Sequence, residues 1–103
     1  MKDLKVKLAK ISERDIEEFL VSEVKKVGGL ALKFTSQGNA GVPDRLVILP
    51  DGNVHFIELK AKGKKPSKLQ KVVHKQFLQR NVKVEIIDSK EEVKEWLDGI
   101  YTT

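Results

Sequence analysis

Asp44 in Val42-Pro43-Asp44-Arg45, and Glu58 with Lys60 in Phe56-Ile57-Glu58-Leu59-Lys60, are the residues of this sequence best equipped for chemistry. Like charges brought together are costly unless a cation lies between them, and Mg²⁺ accepts one or two carboxylates while keeping waters that a phosphate can displace. Such an ion polarises a phosphate ester and acidifies an attacking water. Lys60 would orient or deprotonate that water. Neighbouring carboxylates raise an amine's pKa, so positioning suits Lys60 better than base catalysis.

An acid two residues before a lysine is common: Asp3-Lys5, Glu23-Lys25, Asp88-Lys90 and Glu92-Lys94 repeat the pattern. What distinguishes Glu58 is its surroundings, an apolar strand around it, Pro43-Asp44 upstream on a pairing strand and a basic loop after it. The rival reading is a surface ion pair between Glu58 and Lys60, worth about 0.2 to 1 kcal/mol, with Asp44 an ordinary strand-start residue.

The elements that must position these groups follow from hydrophobic spacing. Leu4, Val6 and Leu8 alternate with lysines over residues 1–11, which suits a short strand or a basic arm equally. Ser12 opens a helix carrying Ile16, Phe19, Leu20, Val24 and Val27 at helical spacing, stopped by Gly28-Gly29. Leu30 to Phe34 predicts a short strand, and residues 35–41 a polar, glycine-rich loop. Pro43 pushes Val42 toward extended backbone, so Asp44 to Leu49 enters as a strand. Pro50-Asp51-Gly52-Asn53 turns it into an antiparallel partner over Val54 to Leu59, a pairing that sets residue 44 opposite 58 or 59. Alternation then puts Phe56, Glu58 and Lys60 on one face, with Ile57 and Leu59 on the other, toward the core.

Downstream, Ser67 caps a helix whose apolar positions are Leu69, Val72, Val73 and Phe77 alongside Gln76. Val82 to Ile87 predicts a last strand. Ser89 and Glu92 form a capping box that opens a helix with Val93, Trp96, Leu97 and Ile100 on its apolar side. The order αβββαβα implies an α/β (α+β) fold, a central mixed sheet flanked by helices. A length of 103 residues predicts one domain spanning 1–103.

The chain has no Cys, so any metal must be held by oxygen or by His. His55 and His74 lack paired ligand spacing and are expected to be structural or surface residues. No apolar run approaches the length of a membrane span, and a cytoplasmic location is the expectation. A net charge of +5 and a pI near 9.5 favour an anionic partner. Lys62, Lys64, Lys65, Lys68, Lys71 and Lys75 suggest a track for phosphates, against the alternative of a solvated face. Gly38 and Gly41 are candidates for close approach of a loop to DNA, or for turn conformation alone.

Gly41-Val42-Pro43-Asp44-Arg45, Phe56-Ile57-Glu58-Leu59-Lys60 and Ser67-x-x-Gln70 resemble the stand-alone VRR-NUC domains, virus-type replication and repair nucleases of the PD-(D/E)XK superfamily. The resemblance spans nearly the whole chain. It implies Asp44 and Glu58 as ligands of Mg²⁺ or Mn²⁺ with the Leu59 carbonyl, a catalytic Lys60, and Gln70 in support. It also implies an acidic residue on the first helix, for which Glu17 is chosen over Glu13, Asp15, Glu18 and Glu23. Arg45 and the lysines would contact DNA.

Relatives of this kind act on branched DNA, so the resemblance implies a Holliday-junction resolvase. Two symmetric cuts need two reaction centres, which a homodimer supplies, with the first and last helices, Trp96 and Tyr101 as candidate interface, against the alternative that their apolar faces are simply core. The alternatives are a flap or restriction-type nuclease, or a nucleic-acid-binding module without catalysis.

Overall fold

A computed structural model describes residues 11–101, so the arm-or-strand alternative for the N-terminus lies largely outside the described residues. Helix α1 spans Glu13–Lys26 and begins on a capping box in which Ser12 and Asp15 satisfy each other's backbone amides. Ile16, Leu20 and Val24 fall on one side and are fully buried. At its other end Gly28 takes φ 85°, and the Gly29 amide donates back to the Val24 carbonyl at 2.9 Å, closing the helix as expected.

Strand β1 (Leu30–Lys33) runs antiparallel to β2 (Arg45–Ile48), which runs antiparallel to β3 (Val54–Leu59). The turn between β2 and β3 is closed by the Leu49 amide on the Asn53 carbonyl, with Gly52 at φ 86°. After β3 the chain crosses through helix α2 (Lys68–Leu78) and returns as β4 (Val84–Ile87), parallel to β3. Strand order is therefore β1-β2-β3-β4, with β3 held on both sides. Helix α3 (Lys90–Tyr101) follows. The mixed α+β architecture read from the sequence is the one observed.

The core lies between the sheet and the pair α1 and α3. Ile16, Leu20 and Val24 meet Val47, Leu49, Ile57, Leu59 and Ile87, with Val93 and Leu97 from α3. Each such side chain contributes about 1.5–3 kcal/mol by leaving water. Trp96 and Ile100 pack against this core, and the Trp96 ring meets His55 edge-on at 5.4 Å. The apolar sides of the first and last helices are thus spent on the core, and of the suggested interface residues Tyr101 stays half exposed.

Helix α2 covers the opposite face, and differs from expectation. None of its residues is buried, and Leu69 and Val72 are more than half exposed. The reason is what the strand presents: Phe56 and Glu58 face this way, so the helix turns Gln70, Val73, His74 and Phe77 inward. Phe77 packs edge-on against Phe56 at 5.2 Å, and Phe56 against Phe34 at 5.3 Å. At α3 the Glu92 amide donates to Ser89 Oγ as expected, but the Glu92 carboxylate accepts from the Asp88 amide, one residue before the expected partner.

Candidate active site

The β2–β3 register pairs Arg45 with Ile57, which puts Asp44 beside Glu58 at one end of the hairpin. Asp44 is fixed there by its Oδ2, which accepts the Leu59 amide at 2.8 Å. Beyond β3 the ladder continues, since the Lys60 amide donates to the Ile87 carbonyl at 2.9 Å. The backbone carrying Glu58, Leu59 and Lys60 is therefore pinned from both neighbouring strands.

Glu58 is the unusual residue. Only 1% of its surface is exposed, in the company of Ile57 and Leu59. Its Oε2 accepts a hydrogen bond from Gln70 Nε2 at 2.8 Å and lies 3.1 Å from Lys60 Nζ. Its Oε1 is equally buried and has no hydrogen-bond partner among the described residues. Burial first, and then the negative charge of Asp44, push its carboxyl up to about 7, against the pull of Lys60. A carboxylate held this way is poised for a cation. Gln70 serves two ends, since its Oε1 also accepts from the Ser67 amide at 2.8 Å to complete the α2 cap.

The first-helix acids divide. Glu17 forms a 2.7 Å ion pair with Arg45, whose guanidinium also donates to the Ala31 carbonyl at 3.0 Å. Both side chains are largely buried, so this pair ties α1 to the sheet, and Arg45 is engaged within the fold. Glu13, one turn earlier, is the acid that feels the site: burial, then the charge of Asp44, raise its carboxyl, and Lys60 lowers it. Sequence had offered both, four residues apart on one helix face. Their distinction depends on where Arg45 reaches.

The loop before Asp44 is also set by contact. Gly41 has φ 92°, and a Cβ there would lie 3.1 Å from Val73 Cγ2 and 3.2 Å from the Leu69 carbonyl oxygen. It is the notch by which the loop seats on α2, whereas Gly38, at φ 77°, has open space around it. Gly41→Ala is expected to lower stability by about 1–3 kcal/mol, from positive φ and crowding together. A urea melt checks this, and an unchanged midpoint would refute the notch. Lys62, Lys64, Lys65, Lys68, Lys71 and Lys75 are all exposed along the following loop and α2.

The sequence gives His74 only a structural or surface role. It lies one turn beyond Gln70, with Nε2 3.9 Å from Glu58 Oε1. The signal was there in the i, i+4 relation to Gln70.

Among the described residues no group of three or more His, Asp or Glu side chains stands close enough to form a ready-made metal cage. Two carboxylates, one oxygen of them buried and unpartnered, nonetheless suit an ion such as Mg²⁺ that takes few protein ligands and keeps its waters. Among the described residues no helix is long and apolar enough to cross a membrane.

No family model matches the sequence. A protein of Acyrthosiphon pisum secondary endosymbiont phage 1, named "Putative nuclease p44", is 48% identical over 81 residues, covering 79% of this chain and 87% of its own. A solved structure described as a VRR_NUC domain superposes with a TM-score of 0.78 at 31% identity, over 84% of this chain and 94% of that one. Fold and relatives together define a protein of the nuclease class. Within it, the chain belongs to the VRR-NUC family.

Proposed function

We propose that this protein is a divalent-metal-dependent endonuclease that hydrolyses phosphodiester bonds in branched DNA, acting as a Holliday-junction resolvase. The observation that carries the reading is the buried Glu58 carboxyl beside Asp44, with one oxygen that accepts no hydrogen bond from the described residues. Leaving a buried charged oxygen unpaired is expensive, and a cation removes the expense. Asp44, Glu58 and the Leu59 carbonyl would hold Mg²⁺ or Mn²⁺, and Glu13 rather than Glu17 would add the first-helix carboxylate. Bound there, the ion supplies Lewis acidity toward the scissile phosphate.

The chain's own residues do the rest. Gln70 and Lys60 hold Glu58 Oε2. Lys60 Nζ orients a water toward phosphorus. The exposed lysines from Lys62 to Lys75 track the backbone, and the N-terminus of α2 favours phosphate nearby. Two-fold junctions need paired cuts, so we propose a homodimer with one centre per subunit. We propose selection by DNA shape rather than by base sequence.

The test is digestion of a four-way junction, a flap and a linear duplex side by side, with Mg²⁺, Mn²⁺ or EDTA. Symmetric, metal-dependent nicks in the junction are expected. Cutting of the flap alone, or of one preferred sequence in duplex, would replace the substrate. Binding with no cutting in any metal would sink the enzyme reading in favour of a binding module. Lys60→Ala is expected to slow cleavage by roughly 10²–10⁴-fold, while junction affinity falls only slightly. Wild-type rates in single-turnover assays would remove Lys60 from the mechanism.

A further inference from the structure

Two buried polar atoms without a hydrogen-bond partner among the described residues confront one another across the site: Glu58 Oε1 and His74 Nε2, 3.9 Å apart. The separation is longer than a hydrogen bond, yet a small rotation of either side chain closes it. His55 Nε2 is also buried and unpartnered, but its ring is packed against Trp96 on the far side of the sheet. Helix α2 brings Gln70 and His74 to the same face, one turn apart, so that one helix stands over both oxygens of one carboxylate.

We propose that His74 is a positioning residue, whose Nε2–H holds Glu58 Oε1 as Gln70 holds Oε2, so that α2 sets the carboxylate for ion binding from both sides. This rests on the metal-binding reading of Glu58. In its Nε2–H tautomer the imidazole has one N–H to aim at Glu58 Oε1, 3.9 Å away. An oxygen that accepts one hydrogen bond keeps a second lone pair for the ion. Groups that orient a metal-binding carboxylate in this way tune affinity without touching the metal.

The experiment is calorimetric titration of the DNA-free protein with Mn²⁺, for wild type, His74→Phe and His74→Gln. Phe keeps the ring and loses the donor, and Gln keeps an N–H donor without the ring. His74→Phe is expected to weaken Mn²⁺ binding about 10–100-fold, and His74→Gln to recover most of the loss. Should His74→Phe not fold, His74→Leu, also donor-free, takes its place. Wild-type affinity in the donor-free variant overturns the proposal and leaves the metal reading standing. A wild-type protein that takes up no Mn²⁺ overturns both. Pulsed EPR of the Mn²⁺ complex is expected to show no directly bound imidazole nitrogen, and finding one would overturn the positioning role.

Discussion

Glu58→Gln is expected to make the metal-free protein more stable at pH 8, by about 1–2 kcal/mol, and to reduce cleavage by roughly 10²–10³-fold or more. Both effects have one cause. At pH 8 the Glu58 carboxyl, with its pKa near 7, is ionised at 1% exposure beside Asp44. The upward shift from 4.5 corresponds to about 3 kcal/mol held against the charged form. A neutral amide of the same shape removes that cost, and its oxygen can still accept from Gln70. Part of the gain is returned because Lys60 loses its partner at 3.1 Å. The same neutrality takes away the anion that a divalent cation requires. Thermal melts in EDTA read the first effect and junction cleavage the second. A Gln variant that melts below wild type at pH 8 would contradict the account of Glu58.

Metal affinity is expected to fall about tenfold for each pH unit below 7 and to level off above it. The ion must displace one proton from Glu58 in that range, and none once the carboxyl is ionised. Stability of the metal-free protein has the opposite slope. Because the folded pKa of this acid is raised, the native state holds its proton where the unfolded chain has released it, so stability declines as pH rises from about 4.5 to about 7. Saturating Mn²⁺ should offset that decline. Titrations at pH 5.5, 6.5, 7.5 and 8 check the affinity, with melts in EDTA and in Mn²⁺ for the stability. An affinity that does not vary with pH would mean that the ion binds away from Glu58.

Much of this was legible in the sequence because the hairpin is a ruler. The turn at 50–53 fixes which residues of β2 and β3 meet, and alternation then assigns Ile57 and Leu59 to the core and Glu58 to the opposite face. Ser67 and Gln70 announced both the start of α2 and a group reaching the site. Helical spacing could not reveal what α2 would face. Leu69 and Val72 look like core in one dimension, and they are exposed because Phe56 and Glu58 draw the helix to turn Gln70, His74 and Phe77 inward. Glu13 and Glu17 are likewise equivalent by spacing. The choice between them falls to Arg45, on a strand distant in sequence.

The Pro50–Asn53 turn carries a burden out of proportion to its composition. Side chains alternate along β3, so sliding that strand by a single position against β2 would exchange its two faces, driving an acid into the aliphatic interior and lifting isoleucine and leucine out of it. Substitutions at Asp51 or Asn53 preserve the ruler, whereas adding or deleting one residue there resets it. The chemistry of this nuclease is therefore tied to the length of a loop that contributes no functional group of its own.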